Sequence, residues 1–314
     1  MGLKLLVVVA TLAAVGSPVR AQDRRIEEER ISRSFRIGGD GRVELSNIAG
    51  DIVVTGGGGE EVAIEAIKRT RGDRAELATV EVRFEERPGR LEVRTVHTSR
   101  QRRGDRAWVD LTVTVPRDAT VNLHSVSGSV RVSGVRGRVQ AQTISGTVSA
   151  SESPRLEEAR SISGNVELTG TSFEAPLEAS TVSGIVRLRD VKARTLTLGS
   201  VSGDVEATNV EADRLEMKSV SGDITFAGAA ARNGRYELNS HSGDIAIRLG
   251  GGPGFEVSAN TFSGAIRSDI PVTLENTRPG RRGGRNQSLR GVVGDGGAML
   301  HVTTFSGDIV LERR

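Results

Sequence analysis

The chain has 314 residues, no cysteine, one Trp, one Tyr and a formal net charge of +3. These figures exclude disulfides, cysteine-based zinc sites and thiol nucleophiles, and they leave few aromatic side chains for stacking on nucleic-acid bases. With 39 Gly but only 8 Pro, and Val, Ser and Thr where a helical protein carries Leu, Ala and Lys, the composition excludes collagen-like, disordered and largely helical classes.

The chain opens with MGLK, a short basic start, followed by the apolar run LLVVVATLAAVG and the small residues Val19 and Ala21 flanking Arg20. This pattern predicts a signal peptide over residues 1–21, cut after Ala21; the apolar run is shorter than the roughly 20 residues a spanning helix needs. Removing it takes away Lys4 and Arg20, so the net charge falls from +3 by two, to about +1. A near-neutral total argues against a dedicated nucleic-acid or other polyanion binder. The expected location is the periplasm or the cell exterior, with no transmembrane segment after signal removal.

Residues 22–33 read as a linker, and residues 34–118 as a β-rich N-terminal region. RVELSNIAGDIVVTG, EEVAIEAIKRT, ATVEVRF, RLEVRTV and WVDLTVTVP all alternate apolar and polar residues, the mark of half-buried strands. RPGR predicts a turn between the third and fourth of these, and a brief helix is expected near Asp73–Thr79. Ser99–Arg106 and Arg278–Gly291 read as basic surface loops, the second long and mobile.

Residues 119–314 carry a repeat, [ST]-[VIHF]-S-G-x-[VI], whose glycines are Gly128, Gly146, Gly164, Gly184, Gly203, Gly222, Gly243, Gly264 and Gly307. The gaps are 18, 18, 20, 19, 19, 21, 21 and 43 residues; the last is close to two periods and suggests one degenerate turn. NIAGDIVV around Gly50 resembles a distant earlier copy. Apolar residues alternate before the Ser-Gly corner (Leu215 and Met217, Leu300 and Val302) and after it (Ile224 and Phe226, Ile309 and Leu311), so each copy carries two strands. An antiparallel meander and a parallel stack both fit. Ser-Gly is a poor hairpin turn but a good corner, and identical residues at equivalent positions suit ladders between stacked coils. The expected fold is therefore all-β: a parallel β-solenoid, a single-stranded β-helix of about nine to ten coils of 18–21 residues with a β-rich N-terminal cap. Inward alanines (Ala141, Ala150, Ala179, Ala207, Ala259) imply a narrow interior. The segment after Ile270 is expected to cover the far end.

The export signal, RVELSNIAGDIVVTG, the strand ending in TVTVP and the serial copies from SVSGSV to TFSGDIVL together resemble the putative adhesin family of bacterial envelope proteins, related to the head domain of auto-transporter adhesins. The resemblance implies a β-solenoid and a role in adhesion, and it carries no catalytic motif.

Little in the residues points to chemistry. Asp204, Asp223 and Asp244 follow the corner glycine in three successive copies, with Asp51 and Asp308 at the same position elsewhere. They form a tentative cation or ligand surface, set against the plainer reading of exposed turn carboxylates accepting local backbone N–H bonds. His241 replaces the apolar residue of the other copies and, flanked by Asp223 and Asp244, makes the one constellation that could serve sugar chemistry. His97, His124 and His301 fall at unlike positions, which speaks against a metal cluster. The repeated Ser (Ser127, Ser145, Ser163 and their equivalents) lacks a fixed base and reads as a hydroxyl ladder. We therefore expect no catalytic, cofactor-binding or metal-binding residue, and a non-enzymatic envelope protein serving as an adhesin or binding scaffold for an envelope glycan or protein. The alternatives are a carbohydrate-active β-helix enzyme and an accessory protein of an envelope-stress system. The oligomeric state is not fixed by the sequence.

Overall fold

The computed structural model describes residues 26–98, 107–250, 254–274 and 287–313. The expected signal peptide over residues 1–21 and the expected basic loop Ser99–Arg106 lie outside them, as does most of the expected loop Arg278–Gly291. Among the described residues the protein is all-β: 24 strands join one long mixed sheet, nearly closed on itself like a barrel or solenoid, and the sole helical element is the short 3-10 turn Arg74–Thr79. No helix among them is long and apolar enough to cross a membrane.

Each copy of the repeat places one strand before the Ser-Gly corner and one after it, and both pair in parallel with their equivalents in the next copy. Thr120–Ser127, Val139–Ser145 and Leu156–Ser163 are successive strands before the corner, with Ser127 opposite Ser145 and Ser145 opposite Ser163. Val130–Ser133, Val148–Ser151 and Val166–Phe173 follow it, with Val130 opposite Val148 and Val148 opposite Val166. Because equivalent residues are in register, the inward rows are continuous columns of Val, Leu, Ile and Ala. Ala141, Ala179, Ala207 and Ala259 are fully buried and Ala150 nearly so, which gives the narrow interior expected.

Two strands per copy is an incomplete description. In the longer copies a third short run also pairs in parallel: Thr171–Phe173 with Val191–Ala193, then Val210–Ala212, then Gly228–Ala230. A turn six residues after the corner glycine needs a left-handed backbone at Gly134 (φ 69°) and Glu152 (48°) in the short copies, and at Gly170 (61°), Asp190 (55°) and Asn209 (54°), where it leads into the third run. Gly, Asp and Asn tolerate that conformation best. This third run is present in the copies of Gly164, Gly184, Gly203 and Gly222, each followed by a gap longer than 18 residues.

The N-terminal region continues the same sheet. Arg42–Ala49 pairs in parallel with Thr120–Ser127, and Ile52–Gly57 with Val130–Ser133, so the segment around Gly50 is a true copy stacked on that of Gly128. Beyond it, Arg90–His97 adds in parallel to Arg42–Ala49, and Trp108–Pro116 to Ile52–Gly57. Antiparallel strands then close this end: Val80–Arg87 on Arg90–His97, Glu61–Thr70 on Trp108–Pro116, and Glu27–Arg36 on Glu61–Thr70. The expected linker 22–33 is thus strand from Glu27 onward, held by pairing with Glu61–Thr70 and by ion pairs such as Arg30–Glu65 at 3.0 Å. Pro88 and Gly89 form the hairpin turn between Arg87 and Arg90, with Gly89 at φ 70°.

At the other end the chain leaves sequence order. The last copy, Ala298–Ser306 and Ile309–Arg313, inserts between its two predecessors: Ser306 lies opposite both Ser242 and Ser263, and Ile309 opposite both Ile245 and Ile266. The 43-residue gap is therefore an excursion and not a degenerate coil. Within it Gln287–Val293 runs antiparallel along the outer edge of Phe255–Ser263, so Gln287–Gly291 is strand where a mobile loop was expected. The segment after Ile270 does cover this end, and the returning strand occupies an edge that would otherwise offer unpaired N–H and C=O groups.

Candidate functional site: the Ser-Gly corner and its flanking columns

The corner explains each letter of the repeat. The first Ser or Thr is buried and donates its hydroxyl to the corner-glycine carbonyl of the preceding copy. Thr143 bonds Gly128 O at 3.0 Å, Ser161 bonds Gly146 O at 2.9 Å, Thr181 bonds Gly164 O at 2.8 Å, and Thr304 bonds Gly243 O at 3.2 Å. Ser125 breaks the series: Asn47 Nδ2 already occupies Gly50 O at 2.9 Å, and the Ser125 hydroxyl finds no partner. The glycine is required by contact as much as by φ. A Cβ on Gly146, Gly164, Gly203 or Gly243 would sit 2.0–2.3 Å from the carbonyl oxygen of the glycine below, closer than any real Cβ contact. The second Ser is exposed, and the hydroxyls of that row make no hydrogen bond within the described residues. The hydroxyl ladder therefore lies two residues earlier than the repeated Ser-Gly suggests.

The residue after the glycine forms a second ladder. Asp204 Oδ1 accepts the N–H of Asp223 at 2.9 Å, Asp223 Oδ1 that of Asp244 at 2.8 Å, Asp244 Oδ1 that of Asp308 at 2.7 Å, and Asp308 Oδ1 that of Ala265 at 2.8 Å. Asn165 does the same for Ile185 at 3.0 Å, and Asp51 for Ser129 at 2.9 Å. One oxygen of each carboxylate thus joins copy to copy. The outer oxygens of Asp51 and Asp308 meet Arg131 and Arg267, both at 3.2 Å. Among the described residues no group of three or more His, Cys, Asp or Glu side chains is placed to hold a metal ion.

The column between the two Ser/Thr rows faces outward and is apolar. In spatial order it runs Val96, Ile48, Val126, Ile144, Ile162, Val182, Val201, Val220, His241, Phe305 and Phe262. His241 is no isolated acid or base: its ring stacks on Phe305 at 5.1 Å, and Phe305 stacks on Phe262 at 4.8 Å. A groove of about 700 Å³ follows the column from Ile48 to Ile162, and another of about 550 Å³ from Val220 to Phe305. Neither is lined by a carboxylate. The repeat spelled out this column as [VIHF], and strand alternation carried on from Leu123 through buried Ser125 puts Val126 outward; the apolar identity of these residues hides it.

Two polar contacts off the corner hold perturbed groups. Arg187 grips Glu206 in the next copy with Nε and a terminal nitrogen at 2.7 and 3.2 Å. That hydrogen bonding holds the Glu206 carboxyl below its ordinary range and lifts the Arg187 guanidinium above its own. Tyr236 is buried and stacks on Phe226 at 5.5 Å. Its hydroxyl donates to Ala212 O and accepts the Ala231 N–H, both at 2.7 Å, and burial pushes the phenol pKa up.

The family profile described as Toastrack DUF4097 matches residues 41–312, from the strand that opens the Gly50 copy to the strand that ends the Gly307 copy. The chain belongs to the Toastrack DUF4097 family. The match leaves out the capping strand Glu27–Arg36 but takes in the repeats and the C-terminal end, so the excursion and insertion there fall within the family's extent. Solved structures similar to this Toastrack chain include a "putative adhesin" from Bacteroides fragilis NCTC 9343, at 16% identity and TM-score 0.46, covering 90% of this chain and 96% of that one. Another "putative adhesin", from Parabacteroides merdae ATCC 43184, is 12% identical with TM-score 0.41 over 70% of this chain and 89% of that one. A "putative lipid binding protein" from Parabacteroides distasonis ATCC 8503 is 11% identical with TM-score 0.37 over 91% and 96%. No curated protein matches the chain.

Proposed function

We propose that this protein is an exported, non-enzymatic binding scaffold of the bacterial cell envelope, built as a parallel single-stranded β-helix of about ten coils, with an adhesin-like role. The observation that carries this reading is where the conserved chemistry of the repeat goes. The inward rows are filled with buried, mainly aliphatic side chains, and the corner hydroxyls and carboxylates join one copy to the next. Asp223 and Asp244, the pair best placed for sugar chemistry, each accept a backbone N–H, and His241 is packed among rings. What remains for function is the outer surface, which repeats the same side-chain rows from end to end and presents them on a stiff frame. Such a surface suits an extended partner, an envelope glycan or a protein.

The test is a glycan array combined with envelope fractionation and a polysaccharide turnover assay. Retained binding to one glycan or envelope class, with recovery in the periplasmic, surface or secreted fraction and no turnover, agrees with the proposal. Reproducible cleavage of a polysaccharide, lost in Asp223→Asn or Asp244→Asn, refutes it.

A further inference from the structure

The apolar column before the corner is larger than a solitary soluble protein usually leaves open. Eight of its side chains, from Val126 to Phe262, are each 37–50% exposed. At roughly half exposure they present on the order of 600 Å² of contiguous apolar surface, at or above the upper end for the largest patch on a typical monomer.

We propose that this column is an isologous interface with a second copy of the same chain. The first argument is area. Two such columns pressed together bury on the order of 1,200 Å² from these side chains alone, and their flanks add to it, which enters the size class of specific stable interfaces. The second is period. Side chains along the column repeat at the spacing of paired strands, about 4.8 Å, and the ring stack keeps it at 5.1 and 4.8 Å. A partner with the same period meets the column step for step along its whole length. A second copy supplies that period by construction.

Charge fixes the orientation. Four residues before the apolar position, on the same outward face, Glu158, Glu178, Glu216 and Glu237 form an acidic row, with Glu158 opposite Glu178 and Glu216 opposite Glu237 in adjacent strands. A two-fold axis across the column would lay this row on its own copy. A two-fold axis along the column sends the two acidic rows to opposite sides. It also sets the row that holds Arg160 and Lys218 over the partner's exposed serines. The copies therefore lie parallel, like end to like end, with Phe305 against the Phe305 of the second copy. Each subunit keeps its other faces for the partner it binds in the envelope.

Sedimentation of the purified protein at tens of micromolar tests this. The expected mass is twice that of the chain. Ile162→Asp combined with Val201→Asp should return the monomer mass, with circular dichroism and melting temperature close to wild type, because both side chains already stand half in solvent. Thr208→Asp, exposed and off the column, should stay dimeric. The chain has no cysteine, so Phe305→Cys should oxidise to a single self-linked dimer only when like ends meet. A monomeric wild type overturns the proposal, as does a dimer that survives Ile162→Asp/Val201→Asp. A monomer that instead binds phosphatidylcholine vesicles or a glycan, and loses this with the same pair, also overturns it by giving the column another occupant. Failure of Phe305→Cys to link an intact dimer overturns the parallel orientation.

Discussion

Gly164→Ala tests the corner most sharply. A Cβ at this position would lie 2.1 Å from Gly146 O and 2.6 Å from Gly146 C, with φ at +151°. Both atoms are backbone, so no side-chain rotation relieves the overlap, and the copies must part locally by about 1 Å to reach ordinary contact. That movement falls on the bonds that cross the corner: Gly146 N–H to Ser163 O at 3.1 Å and the Ser161 hydroxyl to Gly146 O at 2.9 Å. Losing one or two of them costs about 1 kcal/mol each, and holding Ala at this φ costs a further 1–3 kcal/mol. The expected destabilisation is about 2–5 kcal/mol, a large share of the roughly 5–15 kcal/mol that a folded domain has. Urea denaturation followed by circular dichroism measures it. Gly39→Ala is the matched control: nothing lies within 4 Å of its added Cβ, and it should shift stability by less than about 1 kcal/mol. If the two alanine variants unfold alike, close contact between stacked glycines is not what fixes this residue.

Thr181→Val should cost about 1–3 kcal/mol, because it leaves the Gly164 carbonyl without its donor at 2.8 Å, whereas Ser183→Ala two residues on should stay within about 0.5 kcal/mol; paired melts separate them. Tyr236→Phe removes two hydrogen bonds of 2.7 Å and should lower stability by about 1–3 kcal/mol at neutral pH. Since burial raises this phenol above its ordinary 10.0, the fold favours the neutral form, and wild-type stability should fall as pH rises through 10 toward the raised value; Tyr236→Phe should lose that part of the alkaline decline. Glu206 behaves with the opposite sign: its folded pKa lies below 4.5, so its contribution is complete above that value and vanishes as pH falls through the lowered one. With the pair 27% and 32% exposed, acid titration of Glu206→Gln against wild type should show a difference below about 1 kcal/mol.

Much of the fold was legible because the repeat repeats physical demands. Gly146, Gly164 and Gly203 recur since each lies on the carbonyl of the one before, and the alternating Val, Leu and Ala recur because each fills one slot of a narrow column. The copy at Gly50 was readable for the same reason. The third run was missed because its turn residue varies among Gly170, Asp190 and Asn209; the signal was present as Gly, Asp or Asn six residues after the corner in the longer copies. The insertion of Ala298–Arg313 between two earlier copies could not be read, since a strand carries the same ladder residues whether it stacks next in line or one place back. At the corner, the Asp column accepts backbone N–H bonds, but from the neighbouring copy and not from the local turn that the plainer reading had in view. The bonding hydroxyl was assigned to the wrong Ser because Ser127 and its equivalents are the more uniform row. Ile144 and Phe305 face outward by the same alternation that buries Thr143 and Thr304; the signal was there but was hidden because the inward position is polar and the outward one apolar.

Spin-label distances along the Ser column test the stacked arrangement most directly. The chain lacks cysteine, so pairs introduced at Ser145 with Ser306, and at Ser145 with Ser263, can be labelled cleanly. With six and seven steps of about 4.8 Å between them, double electron–electron resonance should give separations near 29 Å and 34 Å, the residue later in sequence being the nearer. Equal or reversed distances would contradict the insertion, and separations that do not grow with the number of steps would contradict the stack itself.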